Sequence, residues 1–528
     1  MVLVLERKWW TLIAVCVAIF MLLLDITVVN VALPDIQRSL HSSFSDLQWV
    51  VNAYSLTLAA FLLTSGAVAD LIGRRRVFVT GLLVFTTASA VCGLSTTPLM
   101  LNLARAVQGT GGAMMFATSL ALIAQAFQGK ERGTAFGVFG AVTGAAVAVG
   151  PVLGGVITSG IGWQWIFFVN VPIGAVAVFV TLTQVLDSRD PNATGVDWAG
   201  LVTFSGSLFV LVYALVQGNQ KGWGSTEIVA LLVAAVVLLV AFIVVERLQT
   251  RPMLDLSLFR CPAFAGASIV AFALSSSFFA MFLYLTLYLQ DVLNFSPLQA
   301  GLRFLPTTLL SFAVAPIAGR LTVRVPVRLL LGSGLVLIGI GLIFMTSVNA
   351  GSHWTVLIPG FVLAGAGVGL VNPPLASTAI GVVPRERSGM ASGINSTFRQ
   401  VGIATGIAGL GAIFQHDVTR TTSTALRASG HAREILTAAH GQLGTLLESG
   451  EVTKIARSLS PAARVALDHS YRVGFTGAFT TIAAIAAAIA LTGAALAFVL
   501  VRGRDFVSTG YAPEAPAPEP EAAGALAS

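Results

Sequence analysis

Residues 21–34 read MLLLDITVVNVALP. The run is apolar on both sides of one aspartate, Asp25, and its apolar surroundings extend from about Trp9 to Ala32. As a helix that length crosses a bilayer, which needs about 20 residues. A carboxylate near the centre of such a helix costs about 2.5–3.5 kcal/mol on insertion scales. An acid kept there faces a water-filled cavity or a partner cation. The plainer reading is an acid at a helix end, or in a purely structural ion pair, and the insertion cost weighs against it.

The rest of the chain fits the same solvent. Of its 528 residues 56% are hydrophobic and only 10% charged, with a mean hydropathy of +0.87. Soluble proteins carry about 25% charged residues, so the composition indicates an all-α polytopic membrane protein. The first apolar run is longer than a signal-peptide core of about 7–15 residues, so it reads as a permanent span. The net charge of +7 would suggest a nucleic-acid partner in a soluble protein. Here the basic residues sit in short loops, where they act as topology signals, so the expected partner is the lipid bilayer and not nucleic acid. Cys16, Cys92 and Cys261 are too far apart for a disulfide framework or a metal site. The chain holds no phosphate-binding G-x-x-x-x-G-K-[ST] loop, no H-E-x-x-H and no G-x-S-x-G. It reads as no enzyme, with no cofactor or metal.

Continuous apolar runs give about fourteen spans. They lie near 9–32, 47–69, 77–96, 99–126, 134–160, 164–186, 197–217, 226–246, 263–290, 298–319, 327–348, 354–381, 388–415 and 472–501. Continuity favours helices over a barrel. Most basic residues, from Arg7, Lys8, Arg74, Arg75 and Arg76 to Arg502 and Arg504, fall on the side of the N-terminus. The short loops opposite hold Arg38 and Lys221. This asymmetry predicts both termini in the cytoplasm, with the chain in the cytoplasmic (inner) membrane. Residues 416–471 are expected to form a long extracytoplasmic loop, and 509–528, rich in Pro, Ala and Glu, a disordered cytoplasmic tail.

An internal repeat appears at a spacing of about 256 residues. Gly109 and Gly111 match Gly365 and Gly367, Gly150 matches Gly406, and Asp35 matches Asp291. KERGTAFG resembles RERSGMASG. The chain therefore divides into a six-helix bundle over 1–186, two inserted helices over 187–262 and a second six-helix bundle over 263–508. Two bundles related by an axis along the membrane normal is a secondary-transporter plan. Met281 stands where the repeat would place a second Asp25, so the buried acid belongs to one half.

Several polar positions stand out within this frame. In GAVADLIGRRR, residues 66–76, Gly66 and Gly73 permit close approach and a tight turn. Asp70 there lies beside Arg74, Arg75 and Arg76, which reads as a charge latch at the cytoplasmic face or as a plain basic loop. Arg105 and Gln108 share one helix face with Gly109 and Gly112. A buried arginine needs a carboxylate or carbonyl partner, and Asp25 is the natural candidate. Asn395 and Arg399 form a second polar stripe, lining a cavity or bonding only to carbonyls. Gly150, Pro151, Gly154 and Gly155 allow close helix packing, against the eighth span or its neighbours, with a kink at the proline.

The chain resembles the fourteen-span drug:proton antiporters of the major facilitator superfamily. The resemblance rests on LDITVVNVALP, GAVADLIGRRR, LARAVQGTGGA (103–113), GAVTGAAVAVGPVLGG (140–155) and WQWIFFVNVPIG (163–174), in that order. Gln164 replaces an arginine common in that family, and the second-half copy of the loop signature has Val323 near the place of Asp70. The resemblance implies proton-coupled export of lipophilic, cationic compounds among them, with Asp25 and Arg105 in the coupling and the glycines of 150–155 as a seal that sets antiport. Protons would be the coupling ion, and a small molecule the other partner. Two other readings stand beside it: export of one metabolite, lipid or self-made antibiotic, and a membrane sensor built on a transporter fold.

Overall fold

The computed structural model describes residues 6–127, 129–189, 195–250, 252–322, 324–383, 388–438 and 459–505. Among these the regular structure is entirely helical. Six helices come first: α1 (Arg7–Leu40), α2 (Phe44–Ile72), α3 (Arg74–Gly93), α4 (Pro98–Ala126), α5 (Gly129–Gly160) and α6 (Trp165–Gln184). Two more follow, α7 (Trp198–Lys221) and α8 (Thr226–Leu248). The last six are α9 (Pro262–Val292), α10 (Pro297–Leu321), α11 (Val327–Met345), α12 (Trp354–Gly381), α13 (Ser388–Ala428) and α14 (Pro461–Leu500).

Thirteen of these are long and apolar enough to cross a membrane. The exception, α13, has a span diluted by Asn395, Arg399, Gln400, Gln415, His416 and Asp417. It still lies alongside α2, α9 and α14, so packing places it where its own hydropathy falls short. Turn chemistry separates the helices. Ser43 caps α2 reciprocally with Asp46, and Ser296 caps α10 with Gln299. Large apolar side chains such as Phe179, Val202 and Val236 are exposed, the pattern of helices whose outer faces meet lipid.

Packing repeats between the halves. In the first, α1 lies on α5, α2 on α4, α3 on α4, and α3 on α6; in the second, α9 lies on α13, α10 on α12, α11 on α12, and α11 on α14. The halves meet through α1 with α9, α2 with α13 and α5 with α10. Gln290 Nε2 donates to Val31 O at 2.7 Å, and Gln48 Nε2 to Ile407 O at 2.9 Å. The inserted pair packs together, and α7 touches one helix of each half, α2 and α13.

One expectation changes. Residues 416–471 are not a simple loop, because α13 continues to Ala428, a short helix covers Ala432–Ala438, and α14 begins at Pro461. Polar residues in 416–428 mimic a loop by hydropathy, yet Val418 and Leu426 are buried, giving the extension an apolar face. The expected tail, 509–528, lies outside the described residues.

Candidate functional site

Three glycines draw α4 against its neighbours. A Cβ at Gly109 would stand 2.4 Å from Tyr54 O of α2, and one at Gly111 would stand 2.5 Å from Phe85 N of α3. Gly112 faces the Tyr54 hydroxyl and Leu22 of α1. This approach lets Arg105, one turn earlier, reach across α2 and α1. Its Nε donates to Val50 O at 3.0 Å, and its Nη1 donates to Gln108 Oε1 at 2.8 Å and, at close range, to Asp25 Oδ2. Gln108 Nε2 completes the ring by donating to Asp25 Oδ1 at 3.0 Å. The guanidinium lies over the Tyr54 ring, 4.3 Å from its centre, a cation–π contact. Cys92 Sγ approaches Gln108 Oε1 at 3.6 Å.

Asp25 and Arg105 therefore pair, and Gln108 joins both. Both side chains are enclosed, Arg105 at 1% exposure and Asp25 at 0%. In this conformation the carboxylate is not exposed to solvent. Met281, the repeat mate of Asp25, is fully buried and apolar.

The α2–α3 turn has a partner that the sequence reading missed. Asp70 pairs with Arg74 across the turn, Nε to Oδ1 at 3.0 Å. Gly73 takes φ +118, a conformation that favours glycine. A Cβ there would lie 2.7 Å from both carboxylate oxygens of Asp187. Asp187 follows α6, accepts from the Arg75 backbone N–H at 3.2 Å and pairs with Arg76 at 3.4 Å. The Arg75 side chain donates to Leu182 O at 2.9 Å. The turn thus fastens α3 to the end of α6, within one half. Gly66 is different from its expected use, since a Cβ there would meet nothing within 4 Å. In the sequence Asp187 is marked only as one of two acids, with Asp190, just past a span.

On α5 the small residues meet α1 and α10, not α8. A Cβ at Gly150 would overlap Thr27 Oγ1, at 1.8 Å, and one at Gly154 would stand 2.9 Å from Val28 O. Gly155 faces Leu298 and Pro297 of α10 at 2.7 Å, and Pro151 O lies where Gly301 of α10 lacks a side chain. This helix therefore closes on both halves at once. In the second half Arg399 Nη2 donates to Asn372 Oδ1 at 2.6 Å. Arg399 is half-buried and, among the described residues, pairs with no carboxylate. Asn395 Nδ2 donates to Ala267 O at 3.3 Å, a helix-to-helix contact between α13 and α9. The stripe is real, but Asn395 and Arg399 are held by different helices and stand apart from the Asp25 ring.

Comparison with known proteins follows the same lines. A Major Facilitator Superfamily model matches residues 15–407. The multidrug resistance protein Stp of Mycobacterium tuberculosis is 39% identical over 404 residues, 76% of this chain and 75% of that protein. The puromycin resistance protein pur8 of Streptomyces alboniger is 37% identical over 407 residues, 76% of this chain and 81% of that one. A solved bacterial homolog of the human lysosomal transporter Spinster, inward-facing and occupied, superposes with a TM-score of 0.62. That likeness covers 95% of this chain and 99% of the other at 16% identity, and it speaks to the fold. Helix order, the repeated packing of two six-helix halves and the match over residues 15–407 agree, and the chain belongs to the Major Facilitator Superfamily.

Proposed function

We propose that this chain exports lipophilic compounds, drugs or toxins and cations among them, across the cytoplasmic membrane in exchange for protons. The observation that carries the coupling is the enclosed ring of Asp25, Arg105 and Gln108 between α1 and α4. Protonation of Asp25 would remove the attraction that binds α1 to α4. Substrate entering between the halves favours release of the proton, and reloading of Asp25 favours release of substrate. The halves rock about the site as they exchange the two. Both termini lie in the cytoplasm on this reading, by the bias of basic residues. The α2–α3 turn steadies the first half as it moves, and the Gly150–Gly155 face of α5 seals the seam between α1 and α10. Arg399 contributes a charge to the second half's side of the cavity.

The relatives named for multidrug and puromycin resistance support export of toxic compounds. A relative named for resistance to a single antibiotic also fits the narrower reading, export of one specific metabolite, lipid or self-made antibiotic. Drug-susceptibility profiles of cells with and without the gene separate the two. A broad shift across unrelated compounds fits multidrug export, and a shift confined to one fits the narrower reading. Counterflow by purified protein in liposomes tests transport itself; its absence for every compound that changes susceptibility would favour a sensor on a transporter fold.

A further inference from the structure

Hydrogen bonds between the two six-helix halves gather at one end of the molecule; among the described residues there are three. Gln48, one turn into α2, donates from Nε2 to Ile407 O of α13 at 2.9 Å. Gln290, near the end of α9, donates from Nε2 to Val31 O of α1 at 2.7 Å. The Leu298 N–H at the start of α10 donates to Ser159 Oγ at the end of α5 at 3.0 Å. This end carries the close of α1 and α5 and lies opposite the α2–α3 turn; on the proposed orientation it is the outer one. Gln48 is 1% exposed and fits a notch left by Gly411. A Cβ on Gly411 would overlap Gln48 Nε2 and stand 2.7 Å from the Tyr284 hydroxyl. Tyr284 of α9 donates to the same Ile407 O at 2.7 Å, so one carbonyl receives a donor from each half. Gln290 is 5% exposed and its Oε1 has no partner, so Val31 O alone answers its side chain among the described residues.

An amide buried in an apolar seam needs a partner. A helix carbonyl can supply one, because it has a second lone pair to offer. Once the halves part at this end, water takes the carbonyl's place, so each bond favours the shut form by only its net worth. That is a factor of about 2–10 in population. The rim beyond the two glutamines is loosely filled. A cavity of about 40 Å³ lies there, between Gln37 and Phe44 of the first half and Asp291, Gln415 and Phe475 of the second. Gln415 Nε2 is buried without a partner. Nearer the opposite end the halves touch through apolar groups, as where Leu63 of α2 stands beside Gly393 of α13.

We propose that Gln48 and Gln290 are positioning residues for transport: through Ile407 O and Val31 O they clasp the two halves at the outer end, and opening toward the outside breaks both bonds. Each half supplies one donor and one acceptor. The halves cannot swing apart at this end while either amide keeps its carbonyl. Neither glutamine belongs to the Asp25 ring, so the clasp sets which way the cavity faces and leaves proton binding to α1 and α4. The inference rests on the exporter reading.

Spin labels read the opening as a distance in the full-length protein in lipid. They are placed at Thr96→Cys and Thr355→Cys, exposed positions at the outer ends of the two halves, with Cys261→Ser removing the half-buried thiol. Gln48→Ala and Gln290→Ala each raise the longer distance relative to the shorter by about 2–10-fold. Gln48→Glu is the sharper variant. Protonated, its carboxyl donates to Ile407 O as the amide does; ionised, it sets a negative charge against that carbonyl. From mildly acidic to mildly alkaline pH the longer distance grows in this variant beyond any change in the wild type, and return to acid restores the shorter one. A role confined to folding lowers the melting temperature without that reversible change. Distances in Gln48→Glu and Gln290→Ala that match the wild type throughout overturn the proposal, as does a lengthening in Gln48→Glu that acid leaves in place. Gln290→Ala carries the test alone if Gln48→Glu does not fold. Counterflow is measured separately: a wild type that moves no compound sinks the exporter reading, whereas the distances judge the clasp.

Discussion

Asp25→Asn keeps the shape of the side chain and removes its charge, and the ring around it predicts more than a loss of pumping. Asp25 accepts twice, from Arg105 at Oδ2 and from Gln108 Nε2 at Oδ1. Asparagine offers one acceptor, and its amide nitrogen then meets Gln108 Nε2, donor against donor. Arg105 loses its carboxylate while 1% exposed. Breaking a buried ion pair from one side costs about 3–5 kcal/mol. Arg105 retains Val50 O and Gln108 Oε1, which sets the expected loss at the lower end, about 3 kcal/mol. Adding Gln108→Glu restores the pattern. The new carboxylate accepts from Arg105 through one oxygen and from Asn Nδ2 through the other, so the double variant regains most of the stability. Thermal unfolding in detergent reads this directly, as a double-mutant cycle.

Coupling is measured separately in proteoliposomes. One charge moving through 100 mV is worth about 2.3 kcal/mol, which supports roughly a fifty-fold gradient of a neutral substrate per proton. For a monovalent cation exchanged against one proton no net charge moves, and only the pH gradient drives transport. In Asp25→Asn the proton-driven gradient falls to unity while counterflow persists. A variant that pumps as the wild type does refutes the coupling role. A double variant no more stable than the single one refutes the hydrogen-bond assignment of the ring.

Gly150→Ala places a methyl into Thr27 and forces α1 from α5, with an expected loss of about 1–3 kcal/mol by thermal unfolding. Thr27→Ala rescues it only in part, because the Thr27 Cβ itself would lie 2.6 Å from the new atom. Gly73→Ala combines a strained φ with a clash against Asp187, and it is expected to raise protease sensitivity at the α2–α3 turn more than Asp187→Asn does. Asp187 is partly exposed, so its ion pair is worth at most about 1 kcal/mol. Glu434 accepts from the Ser460 N–H at 2.7 Å and its hydroxyl at 3.0 Å, contacts that hold its carboxyl below the usual range. That contact is complete above the ordinary glutamate pKa and is lost as pH falls through the lowered value. Hydrogen exchange at the Ser460 amide should quicken, relative to its intrinsic rate, over that acidic interval, and Glu434→Gln should remove the pH dependence.

Much of this was legible in residue order. Hydropathy places the spans because a helix in lipid must be apolar along its length, and the cost of a buried acid singles out Asp25. Spacing on α4 puts Arg105 and Gln108 on one face, and their meeting with Asp25 follows from the need of each charge for a partner. What was not legible depends on tertiary proximity. Asp187 and the α2–α3 turn are more than a hundred residues apart, and nothing local marks either as the other's partner. Asp197 looks like an ordinary helix cap and Glu246 like an ordinary flanking acid, yet the fold sets an oxygen of each beside Gly200. The extensions of α13 and α14 escaped notice because a polar helix outside the lipid carries no hydropathy signal. Helices that pack on α5 could not be named either, since a run of glycines says that something comes close but not what.

The complete enclosure of Asp25 has a kinetic consequence. On the proposed exchange mechanism, hydrogen ions cannot slip past a carboxylate enclosed as in this conformation, so any leak is limited by how often the surrounding helices part. If protons drive it, an idle carrier of this kind would leave the cell's energised membrane charged, and only cargo that favours the parted state would make it spend that gradient.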